Sequence, residues 1–339
     1  MKKILITGGA GFIGSNYVHY VINNHPDYKV IVLDSLSYAG NLDNLQDLKG
    51  NPNYEFHKGD IRDKVIVDQL MSKCDSVVHF AAETHVDRSI IDADSFITTD
   101  VYGTYILLEA AKKYGIKKFV HISTDEVYGE APGRPSEEED ALYPKSPYAA
   151  SKAGADRLAF SYFTTYGVPV VISRCANNYG PYQYPEKLIP FFTTNAIDNK
   201  ELPAYGSGKN TRTWIHALDH CSAIDLLLHS GDKVNGQAYN ISSNEEYSVI
   251  DIANVILETL GKPKSLLKFV KDRPGHVQRH AVDSTKMEKA FGWKAQILFK
   301  EGIKETIKWY IDNKQWWEKI KNKQAEFEEF RSKWYKERQ

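Results

Sequence analysis

The first half of the chain alternates short, β-branched apolar runs with longer segments of helical periodicity. Lys3–Thr7, Lys29–Leu33, Tyr54–His57, Ser76–Phe80, Lys117–Ile122 and Val168–Ser173 predict strands, with helices starting near Ile13, Lys64, Ala93 and Pro147 between them. Strands separated by helices imply right-handed βαβ crossovers, and hence a parallel sheet covered on both faces. The pattern predicts an α/β fold with a doubly wound, Rossmann-like parallel sheet over residues 1–178.

Beyond Tyr179 proline and glycine punctuate the chain at Gly180-Pro181, Tyr184-Pro185, Ile189-Pro190, Gly206-Ser207-Gly208 and Arg273-Pro274-Gly275, with shorter helices between them. That texture suits a smaller, loop-rich, mixed α/β domain over residues 179–339 that closes on a substrate. A helix His216–His229 and a strand Tyr239–Ile241 suggest that part of 210–245 returns to the first domain. From Lys300 a charged helix carries Trp309, Trp316 and Trp317, with Phe327, Phe330 and Trp334 beyond; its aromatics are expected to dock on the protein's own surface.

Composition narrows the class without naming a chemistry. In 339 residues, 42% hydrophobic, 26% charged and a formal net charge of −1 describe an ordinary globular protein, with no global pull toward nucleic acid or anionic lipid. Cys74, Cys175 and Cys221 are far apart and in no C-x-x-C pair, which argues against a disulfide framework or zinc ribbon and for a reducing compartment. The apolar run in MKKILITGGAGFIG is too short for a signal-peptide core, and none reaches transmembrane length. The protein is expected in the cytoplasm.

The strand Lys3–Thr7 runs directly into glycines at Gly8, Gly11 and Gly14 and then into a helix. Glycine allows the tight turn and lets backbone amides approach a pyrophosphate at the helix N-terminus. Asp34 ends the second strand about twenty residues later, where a carboxylate accepts the adenosine ribose hydroxyls and repels a 2′-phosphate, favouring NAD over NADP. Asp60-Ile61, after the third strand, stands where the adenine edge would lie.

Tyr148-x-x-x-Lys152 begins a predicted helix, which puts both side chains on one face, one turn apart. A nearby ammonium and the oxidised nicotinamide favour phenolate, so the tyrosine pKa is expected to fall toward neutrality, as a base for a hydroxyl proton requires. Just upstream, Thr124 is followed by Asp125-Glu126. Two adjacent carboxylates, one for acid and one for base work, beside such a pair suggest hydride chemistry coupled to loss of water.

With TGGAGFIGSN, DSLSYAGNL, HFAAETHVDRSI, STDEVYG, SPYAASKA, NNYGPYQYPEKLIP and DRPGH spread over nearly its whole length, the chain resembles the extended short-chain dehydrogenase/reductases and, within them, the nucleotide-sugar 4,6-dehydratases. The resemblance implies that Tyr148, with Lys152 and Thr124, oxidises C4 of a nucleotide-diphospho-hexose as hydride passes to NAD. Glu126 would then remove the C5 proton, Asp125 would protonate the departing C6 hydroxyl, and hydride would return to C6. It also implies a cofactor set of Gly8, Gly11, Phe12, Ile13, Gly14, Asp34, Ser37, Gly40, Asp60, Ile61, Ala81 and Ala82, joined by Tyr148 and Lys152. The implied substrate set is Thr84, Thr124, Asn177, Glu186, Lys187, Leu188, Arg212, Asn240, Arg273 and His276.

The family's usual pattern is broken at Thr84 (usually Ser), Thr213 (usually acidic), Val277 (usually Asp) and His280 (usually Tyr). The implied substrate is dTDP-D-glucose, with a UDP-linked hexose as the alternative that these departures raise; a plain 4-epimerase has no need of Asp125-Glu126. His216 with His220 and His276 with His280 have a spacing of four that can hold zinc, but lack an accompanying Cys or Glu signature, so no metal is expected. In this family the helices corresponding to Ala93–Tyr114 and Pro147–Tyr166 pair across a twofold axis as a four-helix bundle, implying a homodimer.

Overall fold

The structure, a computed structural model, describes residues 2–272, 275–323 and 329. Arg273 and the aromatics Phe327, Phe330 and Trp334 lie outside the described residues.

Strands β1 (Lys3–Thr7), β2 (Lys29–Asp34), β3 (Tyr54–Lys58), β4 (Ser76–His79), β5 (Lys118–Thr124) and β6 (Val170–Cys175) follow one another with helices between them. After β7 (Asn177–Tyr179), β8 (Leu202–Tyr205) and β9 (Thr211–His216), strand β10 (Ala238–Ile241) comes back to pair with β6. The result is a seven-stranded, wholly parallel sheet in the order β10-β6-β5-β4-β1-β2-β3, the predicted doubly wound architecture.

Near-continuous apolar strands are what a sheet buried on both faces requires. Ile4, Ile6, Val30, Val32 and Val171 point into one core, and Leu5, Ile31, Leu33, Val170 and Ile172 into the other. The first core is covered by α1 (Phe12–Asn24), whose Val18 and Val21 meet Ile224 and Leu227 from the segment that returns with β10. The second is covered by α2 (Lys64–Met71) and by helices that follow β4 and β5.

The helix predicted from Ala93 runs without a break to Tyr114, with a π-type stretch inside it. A short α3 (Val86–Ile91) precedes α4 (Ala93–Phe96), then a wide π-type turn over Ile97–Gly103, and only then α5 (Thr104–Tyr114). Asp92 caps the start of this helix by accepting from Ser95 N (3.3 Å) and separates it from α3. Helix α6 (Pro147–Tyr166) starts as read, with Ser146 Oγ accepting from Ala149 N (3.1 Å) and Pro147 in the first turn. It ends at Gly167 in the left-handed conformation, and Val168 N bonds back to Tyr162 O, so β6 starts two residues later than its apolar run suggests.

A smaller lobe carries its own core of Tyr179, Phe192, Trp214, Ile252, Ile256, Phe299 and Ile303. Its sheet centres on β9, flanked by β7, β11 (Glu245–Ser248) and β13 (Arg279–His280), while β12 (Leu267–Val270) pairs with β8. Helices α7 (Leu188–Ile197), α8 (Ala217–His229), α9 (Val249–Thr259), α10 (Thr285–Phe291), α11 (Phe299–Asp312) and α12 (Lys314–Lys323) complete the fold, α8 being the helix that packs on α1.

Candidate active site

Strand β1 sits between β2 and β4, where the chain switches from one side of the sheet to the other, and a cleft of about 370 Å³ opens past its carboxyl end. Gly8 has φ +70°, and a Cβ there would stand 2.6 Å from Ala81 N. A Cβ on Gly14 would stand 2.2 Å from Gly8 O, so these two glycines are demanded by the protein's own backbone. Gly11 is less confined, with a Cβ only 3.3 Å from Gly8 O, and it lines the cleft at the N-cap of α1. That helix end has neither a side-chain cap nor an acidic residue in its first turn, which leaves its amides and positive dipole for an anion.

Asp34 closes one end of the cleft. Its carboxylate accepts from Ala10 N (2.9 Å) and Leu36 N (2.8 Å), which counteract the upward pull of burial on its pKa. Asp60 is held by Arg62, whose guanidinium reaches it at 2.6 Å and keeps its carboxyl below the usual range. Phe12, Ile13, Ser37, Gly40, Ile61, Ala81 and Ala82 line the same cleft, so the whole set read from the sequence for NAD converges there. A bare helix N-terminus, a glycine cradle and an acidic group at the end of β2 fit a dinucleotide.

The chemistry-bearing residues gather where β5 ends and α6 begins. Thr124 is the last residue of β5, and its hydroxyl both caps the turn Asp125–Tyr128 by accepting from Glu126 N (3.3 Å) and donates to Asp125 Oδ1 (3.2 Å). Tyr148, the second residue of α6 and set against Phe96, lines the cleft with Thr124, Glu126 and Lys152. Asp125 lies just behind them, buried, with Oδ2 unpartnered among the described residues. Burial, reinforced by the Glu126 charge, pushes its carboxyl up to about 7, against the pull of Arg212 and of the Thr124 hydroxyl.

Tyr148 departs from the sequence expectation. Burial and the charges of Glu126 and Asp100 hold it well above its ordinary pKa, with only the Thr124 hydroxyl bond pulling down. Lys152, whose own pKa is lowered by burial, donates instead to Ile122 O (2.6 Å). The protein's groups therefore favour the neutral phenol, burial first and the charges of Glu126 and Asp100 after it.

Three residues that the motif reading left unassigned also shape the site. Glu83 lines the cleft, and burial with the Asp100 charge raises it to about 7. Asp100, projecting from the π-type turn, accepts from Glu83 N (2.8 Å) and Ser151 Oγ (2.6 Å) and is raised by burial to about 6. Arg88 donates to the buried Glu186 (3.1 Å) and stacks 3.9 Å over the Tyr38 ring. Glu83 and Arg88 both stand in HFAAETHVDRSI, the stretch that holds Ala81, Ala82 and Thr84.

Of the substrate set, Thr84, Asn177, Glu186, Lys187 and Leu188 line the cleft, with Lys187 Nζ donating to Thr84 O (2.5 Å). Asn240 is a correction: fully buried outside the cleft lining, its amide is used by Tyr128 OH (2.9 Å) and Ser136 O (3.0 Å). Arg212 and His276 are also outside the lining. The first donates to Thr211 O and Val277 O, and the second pairs with Asp272 (2.6 Å). Of the four departures only Thr84 reaches the cleft; Thr213 and His280 are buried in the small sheet, where Thr213 Oγ1 donates to His280 O (3.4 Å).

His216 caps α8 by accepting from Leu218 N (3.3 Å), and His220 bonds Ser173 and Asn178. Among the described residues His25, Asp225 and His229 approach as metal ligands could. Their polar atoms close on one another: His25 Nε2 meets the Asp225 carboxylate (2.9 Å) and Tyr28 OH meets His229 Nε2 (2.7 Å), clasping the ends of α1 and α8.

Residues 5–306 match the family model described as GDP-mannose 4,6 dehydratase. The chain is 47% identical over 324 residues to a dTDP-glucose 4,6-dehydratase of Streptomyces niveus, covering 94% of this chain and 96% of that one. It is 48% identical over 308 residues to the low-salt glycan biosynthesis protein Agl12 of Haloferax volcanii, covering 91% and 98%. Among solved structures, DesIV, a dTDP-glucose 4,6-dehydratase of Streptomyces venezuelae crystallised with NAD, superposes with a TM-score of 0.92 at 46% identity, covering 94% of this chain and 99% of that one.

Proposed function

The chain belongs to the GDP-mannose 4,6 dehydratase family, and from that membership and the Thr124–Lys152 cluster we propose the reaction it performs. It is an NAD-dependent lyase that converts dTDP-D-glucose to dTDP-4-dehydro-6-deoxy-D-glucose. The observation that carries the reading is the pair Asp125-Glu126, one carboxyl buried and held up to about 7, the other facing the cleft beside Tyr148.

Bound NAD supplies the hydride acceptor for oxidation at C4, the donor for reduction at C6, and a positive ring. The residues divide the proton work. Tyr148 takes the C4 hydroxyl proton, with Thr124 holding that hydroxyl and Lys152 supplying positive charge to the phenolate. Glu126 takes the C5 proton once C4 is a ketone, Asp125, neutral because it is buried, gives its proton to the leaving C6 hydroxyl, and Glu126 returns its proton to C5 when C6 is reduced. Lys187, Asn177 and Thr84 hold the sugar nucleotide in the cleft, whose other end takes the dinucleotide. Residues 1–178 form the NAD-binding domain and 179–339 the substrate domain, with the α8 and β10 segment returned to the first.

Two further points rest on surface and thiol chemistry. Ile91, Ile97 and Tyr102 are exposed apolar residues on one stretch of chain, which supports a homodimer through the helices that follow β4. Cys74, Cys175 and Cys221 are free thiols, which supports the cytoplasm; among the described residues no helix is long and apolar enough to cross a membrane.

The direct test incubates purified protein, without added cofactor, with dTDP-glucose and UDP-glucose in parallel and reads products by mass. Loss of one water from dTDP-glucose is expected. Turnover of UDP-glucose alone would transfer the reaction to the UDP-linked hexose, and no loss from either with NAD added would remove the dehydratase reading.

A further inference from the structure

We propose that the C-terminal helix pair α11–α12 is a strap whose residues Trp316 and Tyr310 position the two walls of the cleft and so set how slowly NAD exchanges. The inference rests on the NAD reading above and concerns residues that reading does not use.

One tie reaches the glycine loop. Trp316 Nε1 donates to Asn44 Oδ1 (2.9 Å), and Asn44 Nδ2 donates to Ala10 O (3.0 Å). Ala10 lies between Gly9 and Gly11, and its amide is already held by Asp34 Oδ2 (2.9 Å) while Asn41 N donates to the same carbonyl (3.0 Å). The peptide units around Ala10 are thus gripped from both sides, by the acidic residue of β2 and, through Asn44, by a helix 272 residues further along the chain. Asn44 is buried, so its bond to Ala10 O does not compete with water, while the bond from Trp316 is part-buried. Lys319 pairs with Asp43 beside it as a second fastening.

The other tie reaches the opposite wall. Tyr310 OH donates to Gln183 O (2.5 Å), and Gln183 Nε2 donates to Asn178 O (2.9 Å); both Gln183 and Asn178 line the cleft. Trp317 Nε1 donates to Tyr310 O (2.8 Å), locking α12 to α11. Trp316 is wedged edge-on against Trp309 and Tyr182, with centroids 5.1 and 6.2 Å away, so its indole N–H is aimed rather than loose. Any motion that parts the walls far enough to release a dinucleotide must break one of these ties. A reaction that returns hydride within each turnover loses nothing by keeping its cofactor, so slow exchange costs no rate.

The experiment loads the holoenzyme with isotopically labelled NAD, chases with unlabelled NAD and follows the label by mass. Trp316→Phe keeps an aromatic ring and removes the donor; loss of one part-buried hydrogen bond predicts exchange about 5- to 10-fold faster. Turnover at saturating added NAD is expected within about twofold of wild type, whereas a purely structural role would lower turnover and melting temperature together. Lys319→Ala, on an exposed side chain that folding does not need, is expected to speed exchange about twofold, and Tyr310→Phe to act in the same direction as Trp316→Phe. Wild-type exchange in both Trp316→Phe and Lys319→Ala would overturn the strap. A wild-type protein that neither carries nor takes up NAD would overturn the cofactor reading itself, and the strap with it.

Discussion

Asp125 and Glu126 are sequence neighbours with opposite environments, and that difference is where the chemistry is encoded. The turn Asp125–Tyr128 sends one side chain behind the cleft and the other into it. Because burial raises the folded-state pKa of Asp125 from 3.8 to about 7, the folded protein holds a proton that the unfolded chain has lost over that interval. The contribution of this group to stability is thus complete below about pH 4 and declines as pH rises through about 7. Asp125→Asn is expected to melt a few degrees higher than wild type at pH 8, with the gap closing by pH 4, in parallel thermal unfolding scans. The same variant should keep its NAD and still oxidise C4, while water loss falls by at least about 100-fold; a mass assay showing wild-type dehydration would remove Asp125 as the acid. In the wild type, dehydration should fall as pH rises through about 7, as Asp125 gives up its proton.

At the scale of elements, the candidate catalytic groups depend on how each element ends or begins. Tyr148 is set by the start of α6, where Ser146 accepts from Ala149 N; Ser146→Ala is expected to cost about 1 kcal/mol in denaturant unfolding and to lower turnover with it. The glycine loop depends on the absence of a Cβ at Gly14. Gly14→Ala would place a methyl 2.2 Å from Gly8 O, so α1 must shift, and NAD affinity measured by titration is expected to fall at least about tenfold. The π-type turn Ile97–Gly103 was not legible, because its apolar spacing differs little from that of an α-helix. What distinguishes it is tertiary: Gly103 meets Ile61, and Asp100 reaches across to Glu83 N and Ser151 Oγ.

Across the whole molecule, the returning segment α8 to β10 makes one body of two lobes. It completes the large sheet at β6 while its neighbour β9 centres the small one, so the cleft is framed by elements from both. The apolar surface at Ile91, Ile97 and Tyr102 is left uncovered by this arrangement, and sedimentation is expected to give twice the monomer mass. Ile97→Asp combined with Tyr102→Asp should shift the protein toward monomer; an unchanged mass would move the interface elsewhere.

The order of apolar runs and glycines in the chain was enough to specify the parallel sheet and the glycine turn after its first strand, because each depends on local periodicity and on steric freedom at single positions. The same holds for which residues gather at the ends of β5 and α6, since strand and helix termini bring Thr124, Glu126, Tyr148 and Lys152 to one edge of the sheet. Only the fold decided which polar residues face the cleft and which are spent inside the protein. Asn240, fully engaged by Tyr128 and Ser136, is one case, and Tyr148, whose pKa is raised by burial and then by Glu126 and Asp100, is another. Hydrogen-bond partners and burial come from segments tens to hundreds of residues apart, and electrostatic environment depends on those distances in space, for which spacing along the chain carries no information.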